Sequence, residues 1–206
     1  QALADGKAEN VPRRRAKAPG IMLHSMSAAA EYLGMLGWKF YTTTREGVKF
    51  QAGLYRADTG RMEALVETNF PGQFRTGAAS GVATEFMARP DSRIVGLLGA
   101  GLQARSQLKA VCTVRPIERV EVYSRNAERC VRFAEEMSEF CLAKVVPVHS
   151  PDHAAAEKDI VICATSSKVP VFDGRVLEPG THLNVVGSNH LGKAEIDVTT
   201  IQQADH

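Results

Sequence analysis

Two kinds of hydrophobic periodicity divide the chain. Trp38-Lys39-Phe40-Tyr41-Thr42-Thr43-Thr44 is rich in aromatic and β-branched residues and reads as a strand. Val48, Phe50, Ala52 and Leu54 alternate with Lys49, Gln51, Gly53 and Tyr55. Asp58-Thr59-Gly60 supplies a turn, and Met62, Ala64 and Val66 alternate on a return strand. Such a hairpin has one apolar face, which needs a cover. Upstream, Ala28, Ala29, Tyr32, Leu33 and Leu36 are spaced as on a helix over residues 25–37, with Gly37 as its stop. Residues 1–20 are polar and carry Arg13-Arg14-Arg15-Ala16-Lys17; a solvated arm is expected, with an anion-binding strand as the alternative. Asn69-Phe70-Pro71-Gly72 starts a helix running to about Ala88, since Pro near the first helical position loses no needed N–H. Phe74, Ala78, Val82 and Phe86 form one stripe of it. Gly77, Ala78, Ala79, Ser80, Gly81 and Ala83 keep it slim enough for close approach of a ligand or another element. Arg75, in its first turn, opposes the helix dipole, which an anionic partner or solvent would relieve.

From Pro90 onward, continuous apolar runs alternate with helical patterns. Strands are expected at residues 93–98, 119–124, 144–148, 159–164 and 181–187. Helices are expected after Gly101, over Ala127 to Cys141, and briefly over Asp152 to Lys158. Strands apolar on both faces and alternating with helices predict a parallel sheet covered on both sides.

Composition narrows the function classes. The chain has 206 residues, 44% hydrophobic and 23% charged, with a formal charge of +2. That is too apolar for a disordered chain and too balanced for a dedicated nucleic-acid binder. No apolar run approaches the ~18 residues of a membrane span. Cys112, Cys130, Cys141 and Cys163 form no CxxC pair and read as buried hydrophobes of a reducing, cytoplasmic compartment. The six His show no metal-ligand spacing, so no metal is expected. The start at Gln1 lacks an initiator Met, and the chain reads as an excerpt truncated at both ends.

Gly99-Ala100-Gly101-Leu102-Gln103-Ala104 is a GxGxxA between an expected strand and an expected helix, the context of a dinucleotide site. Gly99 allows the tight turn, Gly101 the approach of the pyrophosphate, and Ala104 close packing of the helix on the sheet. Where NAD-preferring sites carry an acid after the second strand, this chain has Ser124, Arg125 and Asn126. All three can donate to a 2′-phosphate, so NADP(H) is the preferred cofactor and NAD(H) the possible one. Thr165, Ser166 and Ser167 end the fourth strand, and Gly187, Ser188 and Asn189 the fifth. Ligands of open α/β sheets bind at these ends, so both groups are placed to line a nicotinamide pocket.

Taken together, Trp38-Lys39-Phe40, Arg75-Thr76-Gly77-Ala78-Ala79-Ser80, LLGAGLQAR (97–105), ATSS (164–167) and VVGSNHLGKAEID (185–197) resemble the ornithine cyclodeaminase/mu-crystallin family. The resemblance covers nearly the whole chain. It implies an α/β fold: a Rossmann-type domain at residues 90–206 and a smaller α+β substrate and dimerisation domain at residues 1–89. It also implies a homodimer and a small amino- or imino-acid substrate. Residue by residue, Arg14 in its Pro-x-Arg context resembles the substrate-carboxylate Arg, with Arg13 the register alternative. Lys39 resembles the substrate Lys, Arg75 a residue touching substrate and cofactor, and Thr76 a cofactor-phosphate contact. The cyclodeaminases carry an acid/base Asp where Gly192-Lys193 aligns Asn189 here. A carboxamide does not exchange protons in the working pH range, which favours relatives that only move hydride. Three activities are therefore expected in this order: an NAD(P)H-dependent ketimine reductase or alanine-dehydrogenase type, an ornithine/lysine cyclodeaminase, and a non-enzymatic NADPH-dependent binder.

Overall fold

A computed structural model describes residues 2–67, 71–188 and 192–205, with the backbone only at Pro71. They fall into two compact units, Gln1–Pro71 and Gly72–His206.

The first unit is a five-stranded antiparallel meander in sequence order: β1 (Ala8–Ala18), β2 (Ile21–Ala30), β3 (Met35–Thr43), β4 (Val48–Arg56) and β5 (Met62–Glu67). β3 and the β4–β5 hairpin form where alternation places them. The helix expected over residues 25–37 does not form. Residues 21–30 instead pair along their length with β1 and β3, and a 3-10 turn at Glu31–Leu33 makes the link. The few apolar positions that suggested a helical period lie across that turn. Two neighbouring strands satisfy the backbone on both sides, and this outweighs the weak local preference of an Ala-rich run. The expected solvated arm is likewise β1, an edge strand whose exposed Arg and Lys discourage edge-to-edge pairing.

The second unit holds a parallel sheet in the order β10-β9-β6-β7-β8. Its strands are β6 (Ile94–Leu98), β7 (Arg119–Tyr123), β8 (Lys144–Pro147), β9 (Ile160–Cys163) and β10 (His182–Val185). The helices are α1 (Pro71–Met87), α2 (Leu102–Val114), α3 (Ala127–Cys141), α4 (Pro151–Ala155) and α5 (Val198–Gln202). Val95, Leu97, Val120, Val122, Ile160 and Ile162 pack with Leu108 and Val111 of α2 and Phe133 and Met137 of α3. Leu98, Val161 and Cys163 pack with Ala154, Ala155 and Phe172 in a second cluster. Strand order reverses on either side of β6, which makes its carboxyl end a switch point where such sheets bind ligands.

Periodicity divides the chain at 89/90, whereas the backbone groups α1 with the parallel sheet. The cause is the small face of α1. A Cβ on Gly77 would lie 2.5 Å from the Ser106 carbonyl oxygen, and one on Gly81 would lie 3.1 Å from Ala110 Cβ. Gln73, Gly77, Ser80, Gly81, Thr84 and Ala88 form the buried side, while Phe74, Val82 and Phe86 are exposed. Arg115 donates to the Thr84, Glu85 and Ala88 carbonyls and ties down the helix end.

The same helix meets β10 through a buried polar group. Asn184 Nδ2 donates to Thr84 Oγ1 at 2.9 Å, and Thr84 Oγ1 lies 3.3 Å from His182 Nε2. Burial, aided by Arg115, holds the His182 imidazole below its ordinary value of 6.5. Below that value the unfolded chain binds a proton that the folded chain resists, so stability falls as pH drops. Urea midpoints should therefore decline between roughly pH 7 and 5, and His182→Gln should flatten that decline.

Candidate functional site

The loop after β6 is shaped by its glycines. Gly99 sits at φ +111, and a Cβ there would lie 2.5 Å from the Ala164 carbonyl oxygen. Its N–H donates to the Tyr123 carbonyl at 2.8 Å. Gly101 differs: it is extended (φ −97, ψ −170), and a Cβ would meet nothing within 4 Å. It is the N-cap of α2, whose 13 residues begin with no side-chain cap, so the first-turn amides face open space. Ala100 and Ala104 are buried, Leu102 is exposed, and Gln103 Oε1 is buried without a partner. Gln73 Nε2 of α1 donates to the Leu102 carbonyl at 2.7 Å and props the loop. An uncapped helix start behind an open glycine fits a dinucleotide diphosphate.

A cleft of about 420 Å³ adjoins this loop, lined by Ala100, Gly101, Leu102, Arg105, Arg129, Arg132 and Glu136. Arg105 is committed to Glu136, with Nε 2.8 and 2.9 Å from its two oxygens. That pairing raises the Arg105 pKa and lowers that of Glu136. Arg129 and Arg132, not singled out from the sequence, add charge to the same cleft; their i, i+3 spacing on the helix after β7 was the available signal. Arg125 is exposed at the β7 end. Asn126 caps α3, its Oδ1 accepting from the Arg129 N–H at 2.7 Å, so its carbonyl has a structural use.

At the ends of β9 and β10 one buried carboxylate joins two loops. Glu195 is fully buried. Its Oε1 accepts from the Thr165 N–H (2.5 Å) and Oγ1 (2.6 Å), and its Oε2 from the Gly187 N–H (2.5 Å). The Glu195 N–H donates to Ser188 Oγ at 2.8 Å. Ser166 and Ser188 are exposed beside this knot. Glu195 lies within the quoted motif, yet spacing gave it no role. Asn189 lies outside the described residues.

In the first unit, strand register sorts the basic residues. Lys39 stands opposite Met26, and Tyr41 opposite His24, which stands opposite Arg15. Cross-strand partners and alternate residues share a face. Arg14 stands opposite Ser25, itself opposite Phe40, and so lies on the other face from Lys39. A register shift between Val11 and Arg14 places both Pro12 and Arg13 against Met26. Arg13 Cζ accordingly lies 5.8 Å from the Tyr41 ring centroid; Lys39 Nζ lies 5.5 Å from that ring and 4.6 Å from Phe50. The register alternative, Arg13, thus shares the Lys39 face. His24 stacks on Tyr41 at 4.1 Å, and burial with Arg13 and Arg15 nearby lowers its pKa. In α1, Arg75 is exposed, with NH2 3.4 Å from Thr76 Oγ1, which itself donates to the Gly72 carbonyl at 2.7 Å. Among the described residues no group of three His, Cys, Asp or Glu is placed to hold a metal.

Residues 3–206 match the model of the ornithine cyclodeaminase/mu-crystallin family. The chain belongs to that family. It is 33% identical over 187 residues to a Delta(1)-pyrroline-2-carboxylate reductase of Bacillus cereus, covering 87% of this chain and 57% of that protein. The structure of Thermococcus litoralis Delta(1)-pyrroline-2-carboxylate reductase, in complex with NADH and L-proline, is 37% identical, with a TM-score of 0.91. The match covers 98% of this chain and 65% of that one. An archaeal alanine dehydrogenase dimer with bound NAD is 28% identical, with a TM-score of 0.91, over 98% of this chain and 64% of that one. The chain thus spans less than two thirds of these relatives. The α/β fold expected from the sequence, a parallel sheet with a separate antiparallel sheet, is the fold of this family. No described helix is long and apolar enough to cross a membrane.

Proposed function

We propose that the protein is an NAD(P)H-dependent oxidoreductase that moves hydride to or from a small α-imino or α-amino acid. The observation that carries this reading is the loop at residues 99–104: a glycine that admits no side chain, then one facing open space at an uncapped helix start. Relatives that bind NADH with L-proline, or NAD, support it. When bound, the nicotinamide ring supplies or accepts the hydride. Arg13 and Lys39 are assigned to the substrate carboxylate, as cations sharing one aromatic platform. Arg75 and Thr76 keep the substrate and phosphate roles implied by their motif. Thr165, Ser166, Gly187 and Ser188 are assigned to the ring pocket, and Asn189 to substrate. A homodimer built on the exposed apolar residues of the antiparallel sheet, among them Leu36, Phe40 and Leu65, accords with the dimeric alanine dehydrogenase. Free cysteines fit a reducing cytoplasm. Steady-state oxidation of NADPH with Δ1-pyrroline-2-carboxylate, or with pyruvate plus ammonia or methylamine, tests the reading. Ammonia release from ornithine without net cofactor change would replace it by cyclodeamination.

The finer assignment is NADPH over NADH, supported by Ser124 and Arg125 in place of an acid and by Arg129 and Arg132 in the adjoining cleft. A charge-assisted bidentate contact to the 2′-phosphate is expected to favour NADPH about tenfold or more in kcat/KM. Arg125→Ala and Arg129→Ala should each erode that ratio while leaving NADH kinetics within about twofold. Parent enzyme that prefers NADH would contradict the assignment.

A further inference from the structure

We infer that Glu195 is a positioning residue that sets the seat of the nicotinamide ring; this rests on the dinucleotide reading above. The residues form a continuous chain of contacts. A Cβ on Gly99, in the phosphate loop, would abut the Ala164 carbonyl, so the end of β9 packs directly on that loop. Thr165, the next residue, gives both its N–H and its hydroxyl to one oxygen of Glu195. The other oxygen takes the Gly187 N–H at the end of β10. Glu195 is itself held from two further sides, through Ser188 Oγ and through its carbonyl, which accepts from the Val171 N–H at 2.9 Å. A single carboxylate therefore ties together the two loops that leave β9 and β10, just past the last bond of their ladder (Val186 N–H to the Cys163 carbonyl, 2.9 Å) and on one side of the switch point. The knot has the right valence for this task. A carboxylate can accept on both oxygens at once, whereas a carboxamide of the same size accepts on one and presents N–H on the other. Glu195→Gln would thus turn one loop's N–H against a donor and uncouple the loop after β9 from the loop after β10, leaving the strand pairing intact and no cavity. The phosphate loop lies on the far side of Ala164 and would keep its geometry, so the change should strike the ring end of the dinucleotide and spare its diphosphate end.

The test compares parent, Glu195→Gln and Glu195→Asp in the intact protein. NADPH dissociation constants are measured by titration, and ring immobilisation by the fluorescence lifetime and anisotropy of the bound reduced nicotinamide. Turnover with Δ1-pyrroline-2-carboxylate is measured beside them. In Glu195→Gln the NADPH dissociation constant should stay within about threefold, while lifetime and anisotropy fall towards those of free NADPH. kcat should drop about ten- to a hundredfold, and KM much less. Glu195→Asp keeps two acceptor oxygens but withdraws them by one methylene, and should show the same signature more weakly; it carries the test alone if Glu195→Gln does not fold. Ring emission unchanged from the parent, or NADPH affinity lost in step with kcat, would overturn the inference and leave Glu195 as fold support only. A parent that binds NADPH but turns over no imino acid would refute the proposed reaction, while the emission readout would still decide the role of Glu195.

Discussion

Gly101→Val is expected to abolish dinucleotide binding while leaving the protein folded. The two halves of that expectation come from different observations. The backbone at Gly101 is extended, at φ −97 and ψ −170, a conformation open to β-branched residues, and a Cβ there would meet no atom within 4 Å. A Cβ is therefore accommodated, and the expected cost to the fold is the modest one of a poorer N-cap residue for α2. The emptiness is instead the space that a diphosphate would fill against the first-turn amides of α2. Isopropyl bulk should weaken binding by at least about a hundredfold, about 2.8 kcal/mol. Thermal denaturation should place the variant within a few degrees of the parent, and NADPH titration should find no saturation. Gly99→Val is the informative contrast. At φ +111, and with a Cβ 2.5 Å from the Ala164 carbonyl oxygen, it should lower stability as well as binding. A Gly101→Val protein that retains parental NADPH affinity would place the nucleotide elsewhere.

The second large effect separates neighbouring arginines. Arg13→Ala should lower kcat/KM for an imino-acid carboxylate by about ten- to a hundredfold, the loss of a charge-assisted pair. Lys39→Ala should do at least as much. Arg14→Ala, on the opposite face of the sheet, should stay within about twofold. The distinction rests on register alone: Arg15 opposite His24 and Arg14 opposite Ser25, with the extra residue at Pro12-Arg13 absorbed before them. A one-residue slip would exchange the faces. Steady-state kinetics of the three alanine variants decide the register, and a large loss at Arg14 with none at Arg13 would reverse the assignment.

This pair of arginines also shows where the sequence stops being informative. The five strands of the parallel sheet and the helices α2, α3 and α4 were legible, because the buried strands are rich in apolar residues and the helices between them carry an apolar stripe, whereas the short α5 has no such signature. The GxGxxA and its place at the first strand were legible for the same reason. In the antiparallel unit the hairpin was legible through alternation, but β1 and β2 were not. β1 is an almost wholly exposed edge, so charge rather than alternation dominates its pattern. β2 is half Ala and Ser, residues that fit either period. The bulge at Pro12-Arg13 leaves no local mark beyond a proline, so which arginine faces Lys39 could only be stated as two alternatives. In α1 the visible stripe of Phe74, Val82 and Phe86 is the exposed one, because the buried side closes through glycines and a threonine and has no hydrophobic signature. Glu195 was missed for a related reason. Its partners are the Thr165 N–H and hydroxyl and the Gly187 N–H, 30 and 8 residues away, and a knot of that kind becomes visible only once the strands are paired.

In the proposed reaction, hydride would pass between a nicotinamide held over the carboxyl edge of the parallel sheet and the α-carbon of a small imino acid. The most direct measurement uses NADPH deuterated at C4 of the nicotinamide, offered to the protein with Δ1-pyrroline-2-carboxylate, and follows the label into product by mass spectrometry and NMR. Deuterium carried to C2 of proline from one face of the ring is the predicted result. Proline formed without label, or label retained in the dinucleotide while ornithine loses ammonia, would contradict it.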